Sequence, residues 1–545
     1  MKSKSHRTRV RPFAAFAASL TICVSAHAAS NDEARNLNEL RNTVVNLLQA
    51  LVERGIVTRE QAEAMVNAAQ KKAAEEAATA QAQEQAEAGA VRVPYVPEIV
   101  KEEIRKQVVA DLAPEVTQNV VEQAQSEQWG VPAALPDWVR RVRWYGDVRV
   151  RGQGDLFEDG NSESYLDFVA VNNAGGIGRA GTAALLNTTI DRERLRGRLR
   201  FGLETELGWG WSLGARLTSG NLTDPVSTNQ TLGNYGDRYQ VAFDLGYLRW
   251  YGNSSTGRHV LNLWGGRFPN PWLSSELVWD PDLTFEGVAA SYRLGLMRDD
   301  PYSHFAFFTL GAFPLQEVEL SSKDKWLYGG QLGLEWKFAG GSRARVGVAY
   351  YQYDNLSGER NTLDGTLLDF TAPRFVQKGN HLFDIRNDND PNTQLFALAA
   401  DYRLANVTAN FEWKLSPVYR LALTADYVKN VGFDEDKILA RTGFTIPRHD
   451  TGYQAEINFG TSAFAQSAAW RLALGYRYLE ADAVVDAFTD SDFHLGGTDA
   501  KGYYIGLDYA FTPRVWARLR YLSANEIDDA QLGVDVLQLD LNATF

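Results

Sequence analysis

The sequence predicts an all-β fold, a transmembrane antiparallel β-barrel of about sixteen strands, preceded by a short α-helical or coiled-coil arm. Three observations predict it. From Arg141 to the end, apolar and polar residues alternate segment after segment, and the connections between segments alternate between long and mostly short. Beyond the first 28 residues no apolar run approaches the roughly twenty residues that a membrane-spanning helix requires. A chain placed in a membrane without such helices must cross it as strands closed on themselves, because lipid satisfies no backbone hydrogen bond.

The N-terminus carries Lys2, Lys4, Arg7, Arg9 and Arg11, then an apolar run from Phe13 to Val24, then Ala26-His27-Ala28. That is the pattern of a secretory signal peptide, residues 1–28, cleaved after Ala28. The single cysteine, Cys23, lies inside it behind the bulky Ile22, which disfavours lipidation. Cleavage removes five of the 55 basic and none of the 68 acidic residues, leaving 50 against 68 and a formal charge of −18. So acidic a chain is not a nucleic-acid binder. Without cysteine, the exported chain uses neither disulfides nor thiolate metal sites.

Residues 29–90 read as a helical hairpin and a spacer. Leu37, Leu40, Val44, Leu47, Leu48 and Leu51 recur at helical spacing, Gly55 stops the first helix, and Thr58 with Gln61 forms a capping box for a second. Lys71 to Ala90 is rich in Ala, Gln and Glu with little to bury. Residues 91–139 hold a Pro-containing linker, broken at Pro94 and Pro97, and an amphipathic helix with Ile104, Val108 and Leu112 on one face. Its spacing of four, without a sustained heptad, favours an ordinary amphipathic helix over a coiled coil.

Residues 140–545 read as the barrel. Arg143, Tyr145, Asp147, Arg149 and Arg151 share one face against Val142, Trp144, Val148 and Val150; Arg192 to Glu206 repeats the pattern against Leu195, Leu199, Phe201, Leu203 and Leu207. Further strands are expected at 211–219, 241–251, 259–268, 283–294, 304–313, 326–338, 343–353, 402–415, 418–429, 452–461, 468–480, 501–511, 514–523 and 533–545. The phase is mixed in 241–251, 259–268 and 304–313. An even count with a long first connection puts both barrel ends on the short-turn side, which is periplasmic, and the arm with them. A β-sandwich would bury its apolar faces, whereas here they end in aromatics such as Trp144, Trp336, Trp413, Tyr427, Trp470, Tyr503 and Phe511, as at a water–lipid boundary.

Five stretches carry a family resemblance: GIVTREQAEAM (55–65), PYVPEIVKEEIR (94–105), LPDWVRRVRWYGDVRVRGQ (135–153), GGRFPNPW with LVWDPDLTFEGV (265–288), and the terminal Phe545. Together they resemble the putative porin family of Gram-negative outer membranes, over essentially the whole mature chain. The resemblance implies a water-filled outer-membrane channel for passive diffusion of small hydrophilic solutes and ions. It further implies a third long connection folded into the lumen and a terminal aromatic, Phe545, read during barrel assembly.

That third connection is acidic through Glu276, Asp280, Asp282 and Glu286, and stiffened by Pro269, Pro271 and Pro281. Opposite charge is expected from wet strand positions: Arg196, Arg198, Arg200, Arg216, Arg343, Arg345, Arg471, Arg477, Arg518 and Arg520. Acid on one side and arginine on the other would make a transverse field that orients solutes. The blander reading of any one arginine is a wall salt bridge. No cofactor, metal or catalytic residue is indicated: the acidic run Asp384 to Asp390 lacks the glycine and distal Glu of a calcium loop, and the histidines are isolated in sequence. The expected partners are outer-membrane lipid and lipopolysaccharide, the barrel-assembly machinery through the C-terminal strand, and small solutes, with a homotrimer left open. The competing class is a structural or adhesion protein tethering the envelope through its helical arm.

Overall fold

The computed structural model describes residues 141–545 except 462–466 and 529, together with four isolated positions at 58, 64, 67 and 71. The expected signal peptide (1–28), hairpin and spacer (29–90) and amphipathic arm (91–139) lie, those positions aside, outside the described residues. Nineteen strands follow in chain order: β1 (Val142–Phe157), β2 (Arg192–Gly208), β3 (Trp211–Ser219), β4 (Gln230–Thr231), β5 (Val241–Asn253), β6 (His259–Pro269), β7 (Thr284–Gly295), β8 (His304–Gln316), β9 (Lys325–Lys337), β10 (Arg343–Asp354), β11 (Leu382–Asp384), β12 (Phe396–Leu398), β13 (Arg403–Lys414), β14 (Tyr419–Asn430), β15 (Thr451–Thr461), β16 (Trp470–Leu479), β17 (Ala500–Thr512), β18 (Val515–Glu526) and β19 (Val534–Thr544). β11 and β12 form a hairpin of their own, and β4 is a two-residue addition to β2. The remaining sixteen strands pair antiparallel, neighbour to neighbour, and β19 returns to β1. The sheet therefore has no free edge.

Alternation sets which face meets what. On β19, Leu537, Leu539 and Leu541 point outward while Gln538, Asp540 and Asn542 are buried; Leu539 is 59% exposed and Asp540 2%. An apolar outside and a polar inside is the arrangement of a barrel whose solvent is lipid. Phe545 extends the closing ladder by one residue: its N–H donates to the Gly146 carbonyl at 3.1 Å and its carbonyl accepts from the Gly146 N–H at 3.2 Å. Its ring stacks on Phe201, which stacks on Trp144, giving an aromatic belt at the end where the chain enters and leaves the barrel.

That same end carries the connections 209–210, 338–342, 415–418 and 513–514, while the opposite end carries eight loops: L1 (158–191), L2 (220–240), L3 (270–283), L4 (317–324), L5 (355–402), L6 (431–450), L7 (480–499) and L8 (527–533). The length contrast expected from the sequence is incomplete. L4 and L8 are no longer than 296–303 and 462–469 at the turn end. In 296–303 the chain passes through Asp299, Asp300 and Pro301, and a proline cannot donate to the ladder.

The strands with mixed phase have physical causes. In β5 the register shifts so that Arg216 faces Leu245 while Leu217 faces Phe243, leaving Asp244 as the extra residue of a bulge; Asp244 and Leu245 are both buried. In β6 and β8 the inner face is itself apolar: Phe268 and Phe313 are fully buried beneath L3, while Leu263, Phe308 and Leu310 face outward. Two apolar faces leave no alternation to read.

Inward aromatics lie over glycines on neighbouring strands: Tyr145 over Gly202, Tyr247 over Gly214, Phe307 over Gly333 and Tyr504 over Gly475. A Cβ on any of these glycines would overlap the ring, so each aromatic takes the space the missing side chain leaves. Gly475→Val forces Tyr504 off its seat and costs about 1–3 kcal/mol by overpacking. The expected readout is a lower urea midpoint for barrel unfolding in detergent; an unchanged midpoint contradicts this packing account.

Candidate functional site: the loop-filled lumen

β1 and β2 bring one sequence pattern against another. Their register sets Asp147 opposite Arg200, Arg149 opposite Arg198 and Arg151 opposite Arg196. Two of these pairs place arginine directly against arginine on the inner wall, an unfavourable arrangement unless carboxylates stand between them. Asp147 supplies one from the wall, 2.8 Å from Arg198 and 2.7 Å from Arg200. Asp540 of β19 supplies another, 2.7 Å from Arg151.

The others come from the loops. Asp282 of L3 lies 3.0 Å from Arg198, 3.2 Å from Arg200 and 3.8 Å from Arg149. Asp492 of L7 lies 2.9 Å from Arg151 and 3.5 Å from Arg520 of β18. Burial alone would raise both carboxyls. The surrounding charges outweigh it, Arg198, Arg200 and Arg149 for Asp282 and Arg151, Arg520 and Arg149 for Asp492, and hold both below the usual carboxylate range.

L3 crosses the lumen and touches the wall at several points. At its start the Leu273 N–H donates to Gln331 of β9 and its carbonyl accepts from the same amide, both at 2.8 Å. Ser275 then donates to Asp426 of β14 at 2.8 Å, and Glu276 lies 3.4 Å from both Arg477 of β16 and Arg520. Its other face is apolar: Trp272 and Trp279 pack edge-on against Tyr351 of β10 at 5.2 and 5.1 Å, and Trp272 also meets Phe313. Around this face L5, L6 and L7 add Phe383, Ile385, Ile438, Val484 and Val485 to one buried cluster. The loop end of the lumen is therefore partly packed.

L3 and L7 are also joined to each other. The Asp280 N–H donates to the Phe488 carbonyl at 2.9 Å, and the Asp280 carboxylate accepts from Ser491 at 3.0 Å and from Asp282 at 2.7 Å. Asp490 reaches Arg477 at 2.9 Å. Burial, then the charges of Asp490 and Asp282, push Asp280 well above the usual carboxylate range; burial and Glu276 push Asp490 up despite Arg477.

The expected site residues thus separate into two groups. Arg198, Arg200, Arg477, Arg520, Glu276, Asp280 and Asp282 meet in the L3–L7 clamp, and Arg196 lies beside it, donating to Gln153 and Ser227. L3's carboxylates rest directly on the arginines instead of facing them across open space. The rest form wall pairs apart from the clamp: Arg216 with Asp244, Arg343 and Arg345 with Glu335, and Arg471 and Arg518 with Asp508. Glu286 is not in the third loop. The β6–β7 ladder already begins at Thr284 opposite Pro269, so Glu286 is a half-exposed strand residue paired with Arg267. Sequence reasoning left out Arg149, Arg151, Asp490 and Asp492; the Asp-x-Asp of L7 gave no sign that it would fold inward.

Space remains beside the packed loops. A cavity of about 930 Å³ at the loop end is bordered by L1, L2, L5 and the ends of L7 and L8. It shares Leu222, Asp224, Arg374 and Phe375 with a second of about 320 Å³, which shares Pro225, Arg267, Leu315 and Phe488 with a third of about 170 Å³. The series narrows along the β3–β8 side of the barrel.

Residues 41–545 match the family described as Putative porin. The chain belongs to the putative porin family. Porins are outer-membrane channels, and an outer-membrane channel is the general function and location that the family supports for this porin. No curated protein matches it. Among solved structures it is similar to OprB of Pseudomonas putida, with 12% identity over 75% of this chain and 95% of that chain and a TM-score of 0.40. It is similar also to OmpF of Salmonella typhi, with 12% identity, 74% and 97% coverage and a TM-score of 0.38. The outer membrane channel DcaP of Acinetobacter baumannii gives 13% identity, 74% and 97% coverage and a TM-score of 0.38.

The clamp has a defined response to pH. Asp282 and Asp492 are depressed, so the stability they lend is present above the unfolded value near ~4 and is lost only as pH falls toward their folded values. Asp280 and Asp490 are raised, so protonating them favours the docked state as pH drops. Amides of 273–283 and 488–492, corrected for intrinsic rates, should therefore exchange no faster at pH 5 than at pH 7. Faster exchange at pH 5 contradicts the assignment.

Proposed function

We propose that this porin is a water-filled channel for passive diffusion of small hydrophilic solutes and ions, with its loop end outside the cell and its turn end in the periplasm. The observation that carries the reading is the series of cavities, smaller from one to the next, that runs beside the packed loops along the β3–β8 side of the barrel. Selectivity is set by the field of the lumen arginines and the acidic third loop, which reaches the neighbouring cavities as the charge of Arg196 reaches Asp224, and the belt residue Phe545 serves as the assembly signal of the closing strand. The amount of loop packed into the lumen favours the competing reading, a plugged structural or adhesion protein. Conductance separates the two, since a plugged tether need not conduct.

Purified protein in planar bilayers should give discrete conductance steps. Replacing Arg196, Arg198 and Arg200 together by Ala leaves Asp147 and Asp282 without their main partners, so the reversal potential in a salt gradient should move toward cation selectivity. An unchanged reversal potential shows that these arginines do not govern permeation.

A further inference from the structure

We propose that the middle cavity is a binding site for small amphipathic monocarboxylates, the anionic head held between Lys325 and Arg374 and the apolar body laid on Phe375 and Phe488. The proposal rests on the channel reading and names the substrate class of that channel.

Four observations carry it. Lys325 lines this cavity at the first position of β9 and is 2% exposed, yet among the described residues it has no carboxylate within ion-pair distance. Its ammonium donates to the Thr371 and Ala372 carbonyls at 3.2 and 2.9 Å, leaving a third N–H. The charged neighbour bearing on it is a second cation, Arg374. Arg374, exposed at the junction of the first and second cavities, likewise has no ion pair among the described residues.

A buried ammonium without an acid is costly, and one with a second cation bearing on it at the mouth of a cavity is a place for an anion. The acids of the cavity do not serve them. Asp244 is taken by Arg216, and Asp224 and Asp486 accept the N–H groups of Val226 and Gln377 at 3.0 Å each. Burial pushes Asp224 up and Asp486 up to about 7, and the cations bearing on them are Arg196 and Lys378. Beside polar Thr218, Thr228 and Gln316 the cavity has an apolar stretch of Phe375, Phe488, Leu315 and Leu356, which suits a carboxylate carrying a ring or short alkyl body over a fully hydrated inorganic anion. Lys325 does clamp the turn of L5 at residues 369–371, but that role explains neither the missing carboxylate nor Arg374.

The test uses the full chain in planar bilayers carrying chloride current, with benzoate added on the loop side and sulfate as the non-amphipathic anion. Benzoate should interrupt the current at lower concentration than sulfate. Arg374→Gln, which leaves the Lys325 clamp on L5 intact, should raise its half-blocking concentration at least about tenfold, equivalent to ~1.4 kcal/mol. Phe375→Ala should raise it as well. Equal benzoate block in wild type and Arg374→Gln overturns the site, and sulfate blocking as well as benzoate with Phe375→Ala silent overturns the amphipathic class. If no lipid composition gives conductance, the channel reading falls and calorimetry of benzoate on the purified protein decides the site. Binding lost in Arg374→Gln supports it, and binding unchanged overturns it.

Discussion

The rest of the lumen depends on one constraint: β1 and β2 set arginine against arginine on the inner wall, Arg149 facing Arg198 and Arg151 facing Arg196. Wall carboxylates alone do not neutralise this ladder. Asp147 and Asp540 each reach part of it, and the remainder is met by Asp282 and Asp492, which belong to loops. In a low-dielectric ring such pairs are far stronger than at a surface, and breaking one by removing a partner leaves a buried charge at a cost of about 3–5 kcal/mol. The ladder therefore acts as an anchor. Whatever carries the acids is drawn into the barrel.

From that anchor the asymmetry of the lumen follows. With Asp282 fixed on β1 and β2 and Gln331 of β9 holding Leu273, L3 must span the lumen, and its two tryptophans are brought against Tyr351 and Phe313. L7 is tied to L3 through Asp280 and Ser491, and L5 and L6 close over the apolar side. Polar contacts gather along β16 to β2, apolar contacts along β6 to β10. The unfilled space is left beside β3 to β8, which is why the cavities run there and not past the arginine ladder.

Much of the barrel was legible in the sequence because lipid imposes a rule on every second residue. Strands such as β2 and β19, with arginine, aspartate or glutamine on one face and leucine on the other, could be placed to within a residue or so. The rule fails where the inner wall is no longer wet. In β6 and β8 the lumen-facing Phe268 and Phe313 serve the loop core, and in β5 the bulge at Asp244 reverses the phase midway. The site was legible in half-measure. L3 announced itself by its prolines and acids, and Arg198 and Arg200 by their alternation. Asp492 did not, because an acidic pair in a loop looks the same whether it is solvated or clamped. Nor did pairing between distant segments, such as His381 and His449, whose rings lie 6.5 Å apart, leave any local trace.

The most direct test of this anchoring is the single-channel conductance of a variant carrying Asp282→Asn and Asp492→Asn together, compared with wild type under the same salt. Removing both loop carboxylates frees L3 and L7 from the ladder, so the conductance should be larger, with frequent spontaneous closures. A conductance equal to wild type, with equally quiet open levels, would contradict it.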